Sequence, residues 1–135
     1  MRGMLADNDV QGQVEFLLSI WLSDTWRDLW HELSLTVERF STLGLSRNSP
    51  DALIWRMCQQ NQLVLITGNR NKDGNDSLEA IIRAENLPTS LPVMTLANPT
   101  RVSHDRPYAE RVAEKLLEHL ISIEHLRGSG RIYVP

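Results

Sequence analysis

The chain reads as an α/β fold, a three-layer α/β/α arrangement around a central, mostly parallel sheet of four or five strands. Three observations predict it. Short apolar runs alternate with segments whose apolar residues recur every three or four positions, the pattern of strands separated by helices. One of those runs, Leu63-Val64-Leu65-Ile66, is apolar without interruption, as a parallel strand covered on both faces requires. Finally, 135 residues, 41% hydrophobic and 23% charged, suit one globular domain over residues 1–135 with a single core.

The elements follow in order. Met1 to Ala6 is mostly apolar and ends at Asp7-Asn8-Asp9, which reads as a buried strand and a turn. Val14, Leu17, Leu18 and Trp21 have helical spacing and predict a helix from about Gly12 to Leu22. Ser23 or Asp24 is placed to cap a second helix with Trp26, Leu29, Trp30 and Leu33 on its apolar face. Leu35-Thr36-Val37 is β-branched enough for a short second strand, and Ser41 to Ser49 reads as a loop. Ser49-Pro50 reads as a helix start, with serine at the cap and proline at the first helical position. That helix carries Asp51, Leu53, Ile54, Met57 and Cys58 and ends near Asn61. The third strand is Leu63–Thr67. A polar loop from Gly68 to Asn75 leads to Asp76 or Ser77, either of which can cap a helix with Leu78, Ile81 and Ile82 turned inward. Val93-Met94-Thr95-Leu96 is the fourth strand. Ser103 or Asp105 caps a long last helix, whose core stripe is Val112, Leu116, Leu120 and Ile123 with Ala109 and Ala113. Gly128 and Gly130 end it, and Ile132-Tyr133-Val134 can add an edge strand.

Composition narrows the function. A formal net charge of −3 provides no broad basic field to draw in nucleic acid from a distance. A nuclease that works through metal ions and a few local cations is compatible with it. Twelve of the fourteen cations are Arg, the side chain suited to bidentate phosphate contacts, although drift in composition is the simpler explanation. Cys58 is the only cysteine, so no internal disulfide forms, and a reducing cytoplasm is the expected setting. No signal peptide is read at the start of the chain, and no apolar run approaches the roughly 20 residues that span a bilayer.

In an alternating parallel sheet every strand-to-helix loop falls on one edge, and ligands bind outside the carboxyl ends of the strands. Asp7 and Asp9 follow the first strand; Asn69, Asn71, Asp73 and Asp76 follow the third; Asp51 stands in the first turn of the helix that leads into the third. Carboxylates that converge repel one another unless a cation neutralises them, and oxygen-only ligand sets favour Mg2+ or Mn2+. Each residue also has a plain structural reading. Asp7 to Asp9 can turn the chain, Asp51 suits a helix N-terminus, Asp76 is placed as a cap, and Asp73 sits in a polar loop where solvation is the default. It is the coincidence of acids at these points of the alternation that suggests phosphodiester chemistry.

Three segments carry a resemblance: Leu5-Ala6-Asp7-Asn8-Asp9-Val10, Ser49-Pro50-Asp51-Ala52-Leu53-Ile54, and Leu63-Val64-Leu65-Ile66-Thr67-Gly68-Asn69. Together they resemble the PIN-like superfamily, whose pattern is an acid after the first strand, an acid opening a mid-chain helix, and a strand ending in Thr-x-Asp. The resemblance spans nearly the whole chain in element order, through short motifs. It implies a Mg2+- or Mn2+-dependent endoribonuclease acting on RNA, of a group that includes the toxins of toxin–antitoxin modules. It also implies a homodimer and an antitoxin-like protein partner. By position, Asp7 and Asp51 match the first two acids, and Asp73 completes the catalytic set. The implied metal ligands are Asp7, Asp9, Asp51, Asn69, Asp73 and Asp76. Apart from the resemblance, Arg47, Arg70 and Lys72, with Arg101 and Arg106, read as loop cations near the same edge, placed to meet nucleic-acid phosphates or equally to be ordinary solvated charges.

The chain departs from the pattern at Asn69, which stands where the third acid belongs. An amide oxygen can ligate a metal but brings no charge. Either Asp73 or Asp76 restores the charge from the same loop, or the fold is a catalytically inactive interaction module, dimerising through its Trp-bearing helices. A flavodoxin- or receiver-like domain shares the alternation, but a receiver needs an acceptor Asp where Thr67-Gly68-Asn69 stands. His31, His104, His119 and His125 have no ligand spacing, and Cys58 reads as core.

Overall fold

The computed structural model describes residues 1–69 and 77–135. Five strands form one sheet: β1 (Gly3–Ala6), β2 (Thr36–Glu38), β3 (Leu63–Thr67), β4 (Val93–Leu96) and β5 (Arg131–Val134), in the order β2-β1-β3-β4-β5. Every pairing is parallel, with Met4 beside Val37 on one side and Val64 on the other, Ile66 beside Met94, and Met94 beside Ile132. The helices are α1 (Gln11–Trp21), α2 (Arg27–Leu33), α3 (Asp51–Gln60), α4 (Leu78–Glu85), α5 (Pro99–His104), α6 (Arg106–Ile121) and α7 (Ile123–Leu126).

The three layers follow from the two-residue period of a strand. Met4, Ala6, Val64, Ile66, Met94, Leu96 and Val134 point to one face and pack against α1, α2 and α6. Leu5, Leu63, Leu65 and Val93 point to the other and pack against Ile54, Trp55 and Cys58 of α3 and Ile81 and Ile82 of α4. All of β3 is buried, as its unbroken apolar run predicts. Gly3 sits where β1 meets the edge strand β2. A Cβ there would lie 2.1 Å from the Thr36 carbonyl oxygen, so the close approach requires glycine. No helix among the described residues is long and apolar enough to cross a membrane.

Several boundaries differ from the sequence reading. Asp7 caps a 3-10 turn, Asn8–Val10, that precedes α1. Neither Ser23 nor Asp24 caps α2, which starts later, after Trp26. The segment read as a loop from Ser41 holds a 3-10 turn over Phe40–Leu43. Ser49 does not cap α3: its Oγ accepts the Ser46 N–H at 2.9 Å, and Pro50 occupies the cap position with Asp51 first in the helix. Ser77 is the cap of α4, accepting the Ala80 N–H at 3.1 Å. Asp105 caps α6, whereas Ser103 lies inside α5, a helix the sequence reading left out. Ile123 falls beyond a break at Ser122, in α7, and still reaches the core.

The four tryptophans divide. Trp21 and Trp30 stack with ring centroids 4.9 Å apart, and the Trp21 indole N–H donates to the Ala113 carbonyl at 3.0 Å. Trp55, on the inward face of α3, is buried, and Trp26 is half-buried. Core packing therefore accounts for three of them, and only Trp26 remains for contact with another molecule. Cys58 is core as well, and burial pushes its thiol up to about 12.

Candidate functional site

Parallel pairing puts the carboxyl ends of all five strands on one edge of the sheet. After β1 the chain moves outward to β2, then returns to place β3 on the other side of β1. Between β1 and β3 their successor segments diverge, and a crevice opens at such a reversal of strand order.

Asp7, Asn69 and Asp51 meet there. The Asp7 N–H donates to the Ile66 carbonyl at 2.9 Å, so the ladder continues one residue past β1 and fixes where the carboxylate stands. One oxygen, Oδ1, accepts the Asn8 N–H at 2.7 Å. The other, Oδ2, accepts the Thr67 hydroxyl at 2.7 Å. Thr67 closes an otherwise apolar strand, and its Oγ1 in turn accepts the Asn69 N–H at 2.9 Å. The Asn69 side-chain amide donates to Asp51 Oδ2 at 3.1 Å. A continuous chain of hydrogen bonds thus runs from the acid after β1, through the end of β3, to the acid that opens α3.

Asp9 joins from the 3-10 turn. Its carboxylate lies against the Gly68 backbone, where a Cβ on residue 68 would stand 3.0 Å from Asp9 Oδ2. Burial is the main cause that raises the Asp7 carboxyl above its ordinary 3.8; the negative charges of Asp9 and Asp51 push the same way, against the Thr67 and Asn8 hydrogen bonds. Asp9 is raised too, first by burial and then by Asp51.

These groups line a cleft of about 310 Å3, with Phe40 and Ile54 supplying apolar wall and Arg47 an exposed guanidinium. Among the described residues, Arg47 is thus the cation that lines the cleft with the acids. Arg70, Lys72, Asp73 and Asp76 lie outside the described residues. Among the described residues, no three His, Cys, Asp or Glu side chains are grouped so as to hold a metal ion. Asp7 and Asp51 are instead each turned toward a protein donor, Thr67 and Asn69.

Two residues of the site escaped the sequence reading. Thr67 was read as the end of a strand and as the threonine of the Thr-x-Asp pattern, but not as a hydrogen-bond donor to Asp7, although a hydroxyl closing an apolar run is itself a signal. Arg131, on the far side of β4, donates to the Asn69 carbonyl at 2.8 Å and to Thr95 Oγ1 at 2.6 Å. Nothing in the local sequence marks it. No protein-family model matches the chain, and no curated protein or solved structure matches it significantly.

Proposed function

We propose that this protein is a PIN-like ribonuclease that hydrolyses phosphodiester bonds with Mg2+ or Mn2+ at the β1–β3 cleft. One observation carries the reading: Asp7 and Asp9, from the turn after β1, and Asp51, from the start of α3, line one cleft, where burial raises Asp7 and Asp9 and their neighbours' negative charge adds to it. A fold gains nothing in stability from that crowding, which a divalent cation relieves. The donors are carboxylate and amide oxygens with no sulfur or imidazole among them, the chemistry of a hard cation. Asp7 and Asp51 are the residues that would hold it, with Asp9 and the Asn69 amide beside them. Both oxygens of Asp7 already accept one hydrogen bond, and each retains a lone pair. When bound, the cation polarises the phosphoryl group and lowers the pKa of a water.

The chain's own groups set the rest. Thr67 fixes the Asp7 rotamer, and Asn69 fixes Asp51. Arg47 provides a cationic contact for a phosphate of the substrate strand. With Asn69 in place of an acid, the described part of the cleft has one negative charge fewer and would bind the cation more weakly than with a carboxylate at that position. The test is hydrolysis of single-stranded RNA with Mn2+, by the wild type and by Asp7→Asn and Asp51→Asn. Cleavage that needs Mn2+ and is lost in both variants is expected. Absence of cleavage and of any Mn2+ binding by the wild type removes the proposal.

The second reading is an inactive interaction module of the same fold, which assembles as a homodimer or with an antitoxin-like partner. It is favoured by the pairing of Asp7 with Thr67 and of Asp51 with Asn69, which satisfies both acids without a metal. Its contact surface would be the shallow groove of about 200 Å3 that Trp26, Leu29 and Ile121 line. In that case Asp7→Asn changes stability and nothing else.

A further inference from the structure

Arg131 opens β5, and its side chain is only 7% exposed. Burying a guanidinium is costly unless its donors are answered. Its Nε donates to Glu79 Oε2 of α4 at 3.1 Å, and its Nη1 donates both to Thr95 Oγ1 of β4 and to the Asn69 carbonyl just beyond β3. The remaining nitrogen, Nη2, is buried without a partner. Optimal satisfaction of the guanidinium is therefore not what this arrangement serves. One side chain ties together three elements, and its Nη1 holds the backbone of the residue whose amide meets Asp51.

We infer that Arg131 is a positioning residue of the cleft: by holding the Asn69 carbonyl, it sets the direction in which the Asn69 side chain meets Asp51. The inference deepens the nuclease reading, on which its metal-affinity arm rests; its spectroscopic arm does not. A planar fork with fixed donor directions can serve Glu79, Thr95 and Asn69 together. A lysine ammonium keeps the charge opposite Glu79 but has no such fork. Residues that orient ligands without touching the metal commonly change its affinity by about 10- to 100-fold.

The experiment compares wild type, Arg131→Lys and Glu79→Gln, each shown to be folded at the working temperature by circular dichroism. The second variant keeps the side-chain volume and loosens the guanidinium from its counter-charge, so the test does not depend on Arg131→Lys folding. Two readouts are taken: the Asn69 backbone and side-chain amide resonances across a pH titration without metal, and Mn2+ affinity by calorimetry. Arg131→Lys is expected to shift the Asn69 amide signals and to weaken Mn2+ by about ten-fold, with Glu79→Gln moving both in the same direction by less. Unchanged Asn69 resonances in the folded variants overturn the inference, whatever the melting temperatures do. If the wild type binds no Mn2+ but the Asn69 signals move, the nuclease reading falls while the positioning role stands. If Mn2+ binds the wild type and both variants equally well, Arg131 is structural only.

Discussion

Asp7 serves folding and chemistry at once, and the two pull in opposite directions. As the cap of a 3-10 turn it should be an acceptor, which Asn also is. As a half-buried carboxylate beside Asp9 and Asp51, it opposes the fold. An acid whose folded pKa is raised favours the native state when protonated. That contribution is complete below the ordinary 3.8 and is lost as pH rises through the raised value. At neutral pH, Asp7→Asn should therefore stabilise by about 1 kcal/mol, or roughly 3–5 °C in Tm, as charge repulsion and desolvation disappear. The advantage should shrink toward zero as pH falls from 7 to about 3.8, where the wild-type carboxyl carries its own proton. Melting curves at several pH values check both statements, and an Asp7→Asn protein less stable than wild type at pH 7 contradicts them. Arg47 makes a separate prediction. Arg47→Ala should weaken RNA binding several-fold and lower its salt slope by about one, while Mn2+ affinity holds, as anisotropy over a salt series would show. The positions of Asp7, Asp51 and Asn69 were legible in the sequence because each lies at the end of a legible element. Thr67 and Arg131 were not, since their partners are 60 and 62 residues away, a separation that periodicity does not reveal.

Among elements, legibility tracked burial. β3 and β4 were read with their observed ends because each is fully buried and apolar but for one threonine, and full burial leaves no polar alternation to confuse the pattern. The short α5 was passed over, although Asn98-Pro99 is a start signal in its own right: Asn98 accepts the Arg101 N–H at 3.1 Å and Pro99 takes the first helical position. Its six residues carry one buried side chain, Val102, too few for a periodic stripe. The α5–α6 junction turns on Asp105, which accepts the Tyr108 N–H at 3.2 Å and pairs with Arg101 at 3.0 Å. Both partners hold its carboxyl below the usual range, Arg101 more strongly. The stability this gives is present above the ordinary 3.8 and lost as pH falls through the lowered value, opposite in sign to Asp7. Asp105→Ala should lower the urea midpoint through the lost cap, whereas Asp105→Asn keeps most of the cap. Urea midpoints with unchanged slopes would show it, and equal loss in both variants would assign the effect to the ion pair instead.

At the scale of the whole molecule, the site is a consequence of strand order. The order β2-β1-β3-β4-β5 is shared with flavodoxin-like sheets, so topology alone does not choose the chemistry. What it does is bring the turn after β1 and the start of α3 to the same crevice, so that acids far apart in the chain face one another across the end of β3. If a divalent cation occupies that crevice, its binding is linked to folding, because the unfolded chain has no such cluster. At about 100 times its dissociation constant, the cation should add roughly 2.7 kcal/mol to the native state, or about 8–13 °C in Tm for a domain of this size. Asp7→Asn and Asp51→Asn should abolish that rise, Asp7→Asn from a higher starting Tm. Arg47→Ala should keep it, because its proposed contact is with the substrate strand. Differential scanning calorimetry with Mn2+ at increasing concentration separates these outcomes. A wild-type Tm that stays put through millimolar Mn2+ leaves the acids with a structural role only, and with it the interaction-module reading.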